Sequence, residues 1–350
     1  MGFIKKKRIY KYFLILAFIV LAFVITISST MGVADISFID SLRIMVSRIP
    51  LLGSLIDSES IRQSHYYIVS NVRLPRILLS ALIGVGLSIV GSTFQSMFRN
   101  PMADPYVLGI SSGASAGATI AIVFGLGGIV GGLSIITLFA FLGAILTVVI
   151  VYNIARVGTR VTSLGLILAG IAVGLFLSSM VSLLMFFNRD DIEKIVMWIM
   201  GSVSAATWNR VGILAPVVIL GSVIIMAYAR DLNAMSIGDE TAKSLGIEVE
   251  KVKKILLTVS SLIVASCVST SGVIGFVGLI VPHTIRLIVG SDQRAVLPFS
   301  AVTGAIFMVV CDTLARNLIP PSEIPVGAIT SLFGAPFFIF MLYKNKKKVI

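Results

Sequence analysis

Long apolar runs alternate with short polar punctuation along nearly the whole chain. Their lengths predict membrane-crossing helices at 13–30, 77–97, 106–124, 133–153, 164–186, 211–229, 255–271, 273–289, 297–316 and 324–342. Each run has about the length needed to cross a hydrocarbon core of about 30 Å. The stretch 255–289 is apolar throughout, yet as one straight helix it would be about 50 Å long. It therefore reads as two helices broken at Thr270, Ser271 and Gly272. Such a chain satisfies its backbone within each helix, because lipid offers no hydrogen-bond partners.

The expected fold class is all-α: a polytopic membrane protein of ten transmembrane helices in one domain, residues 1–350. The N- and C-termini are expected in the cytoplasm. Lys5, Lys6, Lys7, Arg8 and Lys11 before the first run hold residues 1–12 inside and argue for an uncleaved first helix over a signal peptide. Under this topology 19 of the 28 Lys and Arg lie in cytoplasmic segments and 9 outside. A basic C-terminal tail, 343–350, closes the chain. Nothing in the sequence explains the external segment 43–67.

Composition agrees with the pattern. The chain is 57% apolar and 13% charged, against about 25% charged in soluble domains, and its mean hydropathy is +1.04. The net charge of +12 does not imply nucleic acid, because the basic residues sit at the edges of apolar runs. Cys267 and Cys311 lie in apolar runs and imply no disulfide framework. No metal-ligand cluster and no cofactor are expected.

One segment breaks the rule of short punctuation. Residues 230–254 carry 10 of the chain's 44 charged residues. Gly238 and Gly246 bracket a helix of about two turns, marginal alone in water. It is a solvated loop, or it is held by a partner surface or by its neighbours. No Walker A sequence occurs, so any ATP hydrolysis that drives transport belongs to another chain. The runs hold almost no carboxylates, which argues against an ion-coupled carrier. Asp312 is the exception, and its four-residue spacing from Arg316 suggests an ion pair on one helix face.

Other features have two readings each. Small residues recur every fourth position at Gly84, Ser88, Ser92, Ser96; at Gly109, Gly113, Gly117; at Gly170, Gly174, Ser178, Ser182; and at Gly327, Ser331, Ala335. These stripes are helix-packing faces, or they line a subunit interface or translocation path. Gly109 to Gly113 matches the G-x-S-x-G pattern of serine hydrolases, but it lies in an apolar helix and not on a strand-to-helix elbow. Arg73 and Arg76 at an outer membrane edge are headgroup anchors or sockets for carboxylates. The turn 99–105, stiffened by two prolines, is a plain turn or an inner gate. Residues 192–202, ending near Trp208, read as an external interfacial helix.

The strings RLPR (73–76), RNPMADPYVLGISSGA (99–114), LILAG (166–170), WIMGS (198–202), LGI (245–247), GVIGFVGLIVPHTIR (272–286) and SEIPVGAITSLFGAPFFIF (322–340) resemble the FecCD permease family. These are membrane subunits of type II ABC importers for iron–siderophores, haem and cobalamin. The resemblance implies a multi-pass permease of the cell membrane, not itself an enzyme. It would work with a second permease copy or a sister permease, two ATPase subunits and an extracytoplasmic binding protein. Iron–siderophore is the expected cargo, with haem and cobalamin as alternatives and an ion-coupled secondary transporter as the rival of another class. By motif position, Arg73, Arg76 and Arg316 look like docking arginines for the binding protein. Ser236, Gly238, Asp239, Glu240, Ala242, Lys243, Leu245 and Gly246 look like the coupling helices that enter the ATPase. Asn100 and Met102 resemble one inner gate, and Thr162 and Ser163 a second. The stripes of the fifth and tenth spans correspond to those flanking the central path.

Overall fold

The computed structural model describes residues 3–48, 61–158 and 160–346. Part of the external segment, 49–60, and the end of the basic tail, 347–350, lie outside the described residues. The helices are α1 (Phe3–Thr30), α2 (Phe38–Ser47), α3 (Gln63–Tyr67), α4 (Leu74–Met97), α5 (Ile110–Val123), α6 (Ile135–Ala155), α7 (Ser163–Phe187), α8 (Ile192–Ile199), α9 (Trp208–Ala227), α10 (Ala229–Ile237), α11 (Asp239–Ser244), α12 (Val249–Ser271), α13 (Val277–Val289), α14 (Gln293–Asn317) and α15 (Val326–Lys346). Four two-residue strands form small hairpins before α6 and before α7. Several helices start on a side chain that accepts an otherwise orphaned N–H: Ser37 for α2, Ser134 for α6, Thr162 for α7, Thr207 for α9 and Asp292 for α14. Among the described residues seven helices are long and apolar enough to cross a membrane, and α5, α13 and the 326–340 part of α15 are shorter apolar helices.

The centre of the bundle is α4, buried along nearly its whole length against α14, α13, α9 and α12. Apolarity cannot choose the central helix when lipid is as apolar as a leucine; small residues can, because they let backbones approach. A Cβ on Gly84 would lie 2.1 Å from the carbonyl oxygen of Gly304, and one on Gly91 would lie 1.8 Å from that of Gly278. Larger side chains there would push α14 and α13 off α4. By contrast α1 turns Phe13, Leu16, Ile19 and Phe23 outward, and α7 turns out Leu168, Leu175 and Phe186. These side chains are all more than half exposed within the described residues.

The structure corrects three expectations. The second span does not begin at 77: helix runs back without a gap to Gln63. Pro75 has no N–H for the regular ladder, and residues Ile68–Arg73 widen into a π-helix in which the Leu74 N–H reaches the Val69 carbonyl. The break between the seventh and eighth runs is longer than Thr270, Ser271 and Gly272, since α13 starts only at Val277. Asp312 does not pair with Arg316; it takes Arg76 from α4 instead.

The late start of α13 and the short α5 have one cause. The non-helical segments before them meet inside the bundle, level with the middle of α4, where Gly278 packs on Pro105 and on the Leu87 carbonyl. The Tyr106 hydroxyl donates to the Ile274 carbonyl at 2.9 Å and accepts from the Ile274 N–H at 3.2 Å. Irregular backbone at this depth is tolerated because protein supplies the partners that lipid cannot.

Candidate functional site

A charged handle is formed by α10 and α11 between the spans α9 and α12. Gly238 separates the two short helices and Gly246 ends the second with φ +84°, a left-handed conformation suited to glycine. Ala242 is buried and forms the foot of α11. Ser236, Glu240, Lys243, Leu245 and Gly246 face outward, with Gly238 and Asp239 half-buried between them. Lys243 bonds Glu240 at 2.8 Å along the helix, a pair too exposed to hold the helix in place. The anchors are elsewhere: buried Lys253 of α12 pairs with Asp239, and Asn233 of α10 bonds Asp292 ahead of α14. Two large apolar side chains, Ile237 and Leu245, are 72% and 66% exposed on this handle.

Two turns flank the same end of the bundle. In the first, the Asn100 side chain accepts from the Met102 N–H at 2.9 Å, and Met102 is exposed. In the second, Thr162 caps α7 by accepting from the Gly165 N–H at 3.1 Å, and Ser163 is the first helical residue. The α7 stripe divides. Gly170 and Gly174 pack on the 107–112 backbone and side chains, while Ser178 and Ser182 are exposed. In α15, Gly327 is buried against the Met200 and Val273 carbonyls, and Ser331 and Ala335 are half-buried. The stripe of Gly84, Ser88, Ser92 and Ser96 faces α14, and Gly113 and Gly117 pack on α6. Beside that last contact, α5, α6 and α7 leave an apolar cavity of about 480 Å³. Ser111 lies in the first turn of α5, with no strand before it, so the hydrolase pattern has no elbow.

At the opposite end the three arginines face inward. Arg73 donates to the carbonyls of Ser29, Thr30 and Ala34 at 2.7, 2.9 and 2.7 Å. Arg76 holds Asp312 in a fork, with Nε–Oδ2 at 3.1 Å and Nη2–Oδ1 at 2.9 Å, and Glu323 at 2.8 Å. Arg316 donates to the carbonyl and hydroxyl of Ser28. Asp312 is 1% exposed, and Glu323 is 41% exposed. The cluster ties together α1, α4, α14 and the start of α15.

Several polar residues in this architecture carry no individual signal in the sequence, although Glu323 and Arg286 fall inside the family strings 322–340 and 272–286. Glu323 reads as a loop charge, and Lys253 as one of several cytoplasmic lysines. Asn233, Gln293, Gln95 and Arg286 are single polar residues beside or within apolar runs. The one usable clue is Asp292 directly before an apolar run, a helix-start signature. Among the described residues no group of three or more His, Cys, Asp and Glu is arranged to hold a metal ion.

The model of the FecCD transport family matches residues 18–344. The chain is 44% identical over 283 residues to the cobalamin import system permease protein BtuC of Halobacterium salinarum, covering 81% of this chain and 75% of that protein. It is 35% identical to the iron(3+)-hydroxamate import system permease protein FhuG of Bacillus subtilis, covering 93% and 95%. A solved inward-facing structure of a metal-chelate type ABC transporter superposes with a TM-score of 0.82 at 30% identity, covering 95% of this chain and 99% of that one.

Proposed function

The chain belongs to the FecCD transport family, and from that premise we propose that it is the membrane-spanning permease subunit of an ABC importer for a metal chelate. The seven long helices and three shorter ones make up ten spans with both ends in the cytoplasm. Two such subunits, or one and a sister permease, form the path. A binding protein delivers the chelate from outside, and two separate ATPase subunits drive the cycle from inside.

The observation that carries this reading is the handle of α10 and α11. It holds two exposed large apolar side chains, Ile237 and Leu245, among charged residues on a water-facing element, and burial in a partner's cleft removes them from water. ATP binding moves this handle, shifts the subunits against each other and exchanges the open gate. Asn100 and Met102 form one inner gate, Thr162 and Ser163 the other. Ser178 and Ser182 of α7, with Ser331 and Ala335 of α15, border the path, while Gly170, Gly174 and Gly327 let those helices seat closely.

Arg73, Arg76 and Arg316 receive the binding protein at the outer rim. Their internal partners support an exchange mechanism, in which an incoming carboxylate displaces the half-exposed Glu323 from Arg76. Arg73→Glu and Arg76→Glu then weaken docking, whereas unchanged affinity in a folded variant returns both residues to a purely structural role.

The cargo is an iron–siderophore, in line with the high coverage by the hydroxamate permease. The 44% identity to a cobalamin permease supports a second reading, cobalamin. Uptake into proteoliposomes holding the permease, its ATPase and its binding protein tests both levels. Vanadate-sensitive, ATP-dependent entry of iron-loaded siderophore is expected, and loss of entry on deleting residues 236–246. Normal uptake by that deletion rejects the handle as the coupling element; entry of labelled cobalamin and not siderophore selects the second cargo. Uptake abolished by an uncoupler at constant ATP points to a secondary carrier.

A further inference from the structure

The handle is wired into the bundle by a partly buried polar relay, in which Asn233, Gln293, Ser92, Ser96 and Gln95 lie outside the family strings. Asn233, in the middle of α10, uses both ends of its amide on the start of α14. Its Nδ2 donates to Asp292 Oδ1 at 2.8 Å, and its Oδ1 accepts from the Gln293 N–H at 2.8 Å. Asp292 is also the N-cap of α14. The Gln293 side chain, 2% exposed, crosses to α4: its Nε2 donates to Ser96 Oγ at 2.7 Å and its Oε1 accepts from Ser92 Oγ at 2.9 Å.

The relay continues on α4. Arg286 of α13 bonds Gln95 Oε1 and reaches the Ser92 carbonyl at 3.2 Å. Gln95 Nε2 lies 3.2 Å from the Gly278 and Leu279 carbonyls in the first turn of α13. The Gln95 carbonyl accepts from the Asn100 N–H at 3.1 Å, in the turn that holds Asn100 and Met102. An unbroken hydrogen-bonded path thus joins α10 to α14, α4, α13 and the inner turn.

We infer that Asn233 and Gln293 are the positioning residues that transmit movement of the α10–α11 handle to the inner end of α4 and to the turn at Asn100. This inference rests on the importer reading and adds the route that reading lacks. Directional bonds suit the task better than apolar contact. The close approach of α4 and α14 at Gly84 and Gly304 lies about three turns away from Gln293, and at the handle end a shift of α10 that left α14 behind would break the part-buried bonds of Asn233 to Asp292 and Gln293. The handle, the start of α14 and the end of α4 therefore move as one body. The Asp239–Lys253 pair fixes α11 to α12, and Glu250 in the first turn of α12 accepts from the Val161 N–H at 3.3 Å beside the turn at Thr162, so both neighbours of the handle are tethered, and the Asn233 side is the one that leads to the turn at Asn100.

The test is the ratio of solute moved to ATP hydrolysed in the full complex with binding protein, comparing wild type with Gln293→Leu and with the double variant Ser92→Ala/Ser96→Ala. Both variants cut the α14–α4 bonds and leave the handle surface intact. ATP hydrolysis is expected to stay within about twofold of wild type while uptake per ATP falls at least about fivefold. A merely structural role lowers complex yield and both rates together, and does not move the ratio. If Gln293→Leu does not assemble, the serine pair, which only trims small side chains, decides by the same ratio. An unchanged ratio overturns the relay and leaves the importer reading standing. Absence of any ATP-driven uptake by the wild-type complex overturns that reading, and the relay with it.

Discussion

Asp312 and Arg76 show how little a single residue's neighbours in sequence say about its partner. A carboxylate four positions before an arginine on a helix invites a local pair, but Arg316 is drawn to the Ser28 carbonyl and hydroxyl at the end of α1. Asp312 is then left to Arg76, which sits 236 residues away and offers a fork matched to a carboxylate. Breaking one side of such a buried pair costs about 3–5 kcal/mol, whereas replacing both sides by apolar groups is often neutral. Arg76→Met is therefore expected to lower the unfolding midpoint in detergent sharply, and Arg76→Met/Asp312→Leu to recover most of the loss. Asp292 gives a residue-level pH dependence. Hydrogen bonding to Arg294, opposed by partial burial and aided by Asn233, holds its carboxyl below the ordinary 3.8, at about 2. A depressed carboxyl stabilises the fold fully above about pH 4 and loses that contribution as pH falls towards 2. Unfolding midpoints measured from pH 7 to pH 2 should fall more for wild type than for Asp292→Asn, and the difference should be confined to the acid end.

At the level of elements, run length predicts helices well where a span is one helix and poorly where a span is part loop. The runs at 133–153, 164–186 and 297–316 correspond to α6, α7 and α14 within a few residues at each end. The runs at 106–124 and 273–289 contain only 14 and 13 helical residues, because residues 104–109 close local turns, Val107 N–H to Asp104 and Gly109 N–H to Tyr106, and the Tyr106 hydroxyl takes both backbone groups of Ile274 in the segment before α13. Hydropathy cannot see this, since Val273, Ile274 and Phe276 are as apolar in an extended segment as in a helix. Tyr106 is the staple of that junction. Tyr106→Phe keeps the ring and removes the bonds to Ile274, leaving a buried N–H and C=O without that partner. A loss of about 1–3 kcal/mol is expected, read as a lower thermal midpoint and faster exchange of the Ile274 amide. Wild-type stability in that variant would show that other groups satisfy the backbone there.

At the scale of the whole molecule, the chain has the composition of a conduit: apolar spans, almost no buried carboxylate outside the Arg76 cluster, and one polar handle. Purified permease alone is expected to move no solute against a gradient; accumulation in proteoliposomes without ATPase subunits would refute the importer reading. The sequence by itself determined the class of molecule, the approximate position of every apolar segment, the charged handle at 230–254 and the family strings. Each of these is local, a matter of run length, charge density or consecutive residues, and local order survives in a string of letters. Only the tertiary structure decided which helix is central, that Arg73, Arg76 and Arg316 turn inward to Ser29, Asp312 and Ser28, and that Asn233 reaches Gln293 and through it Ser92 and Ser96. In an apolar chain nearly every residue is equally content against lipid or protein. Long-range order therefore rests on a few small residues that permit close approach and a few buried polar groups that must find partners, and neither constraint is written in spacing.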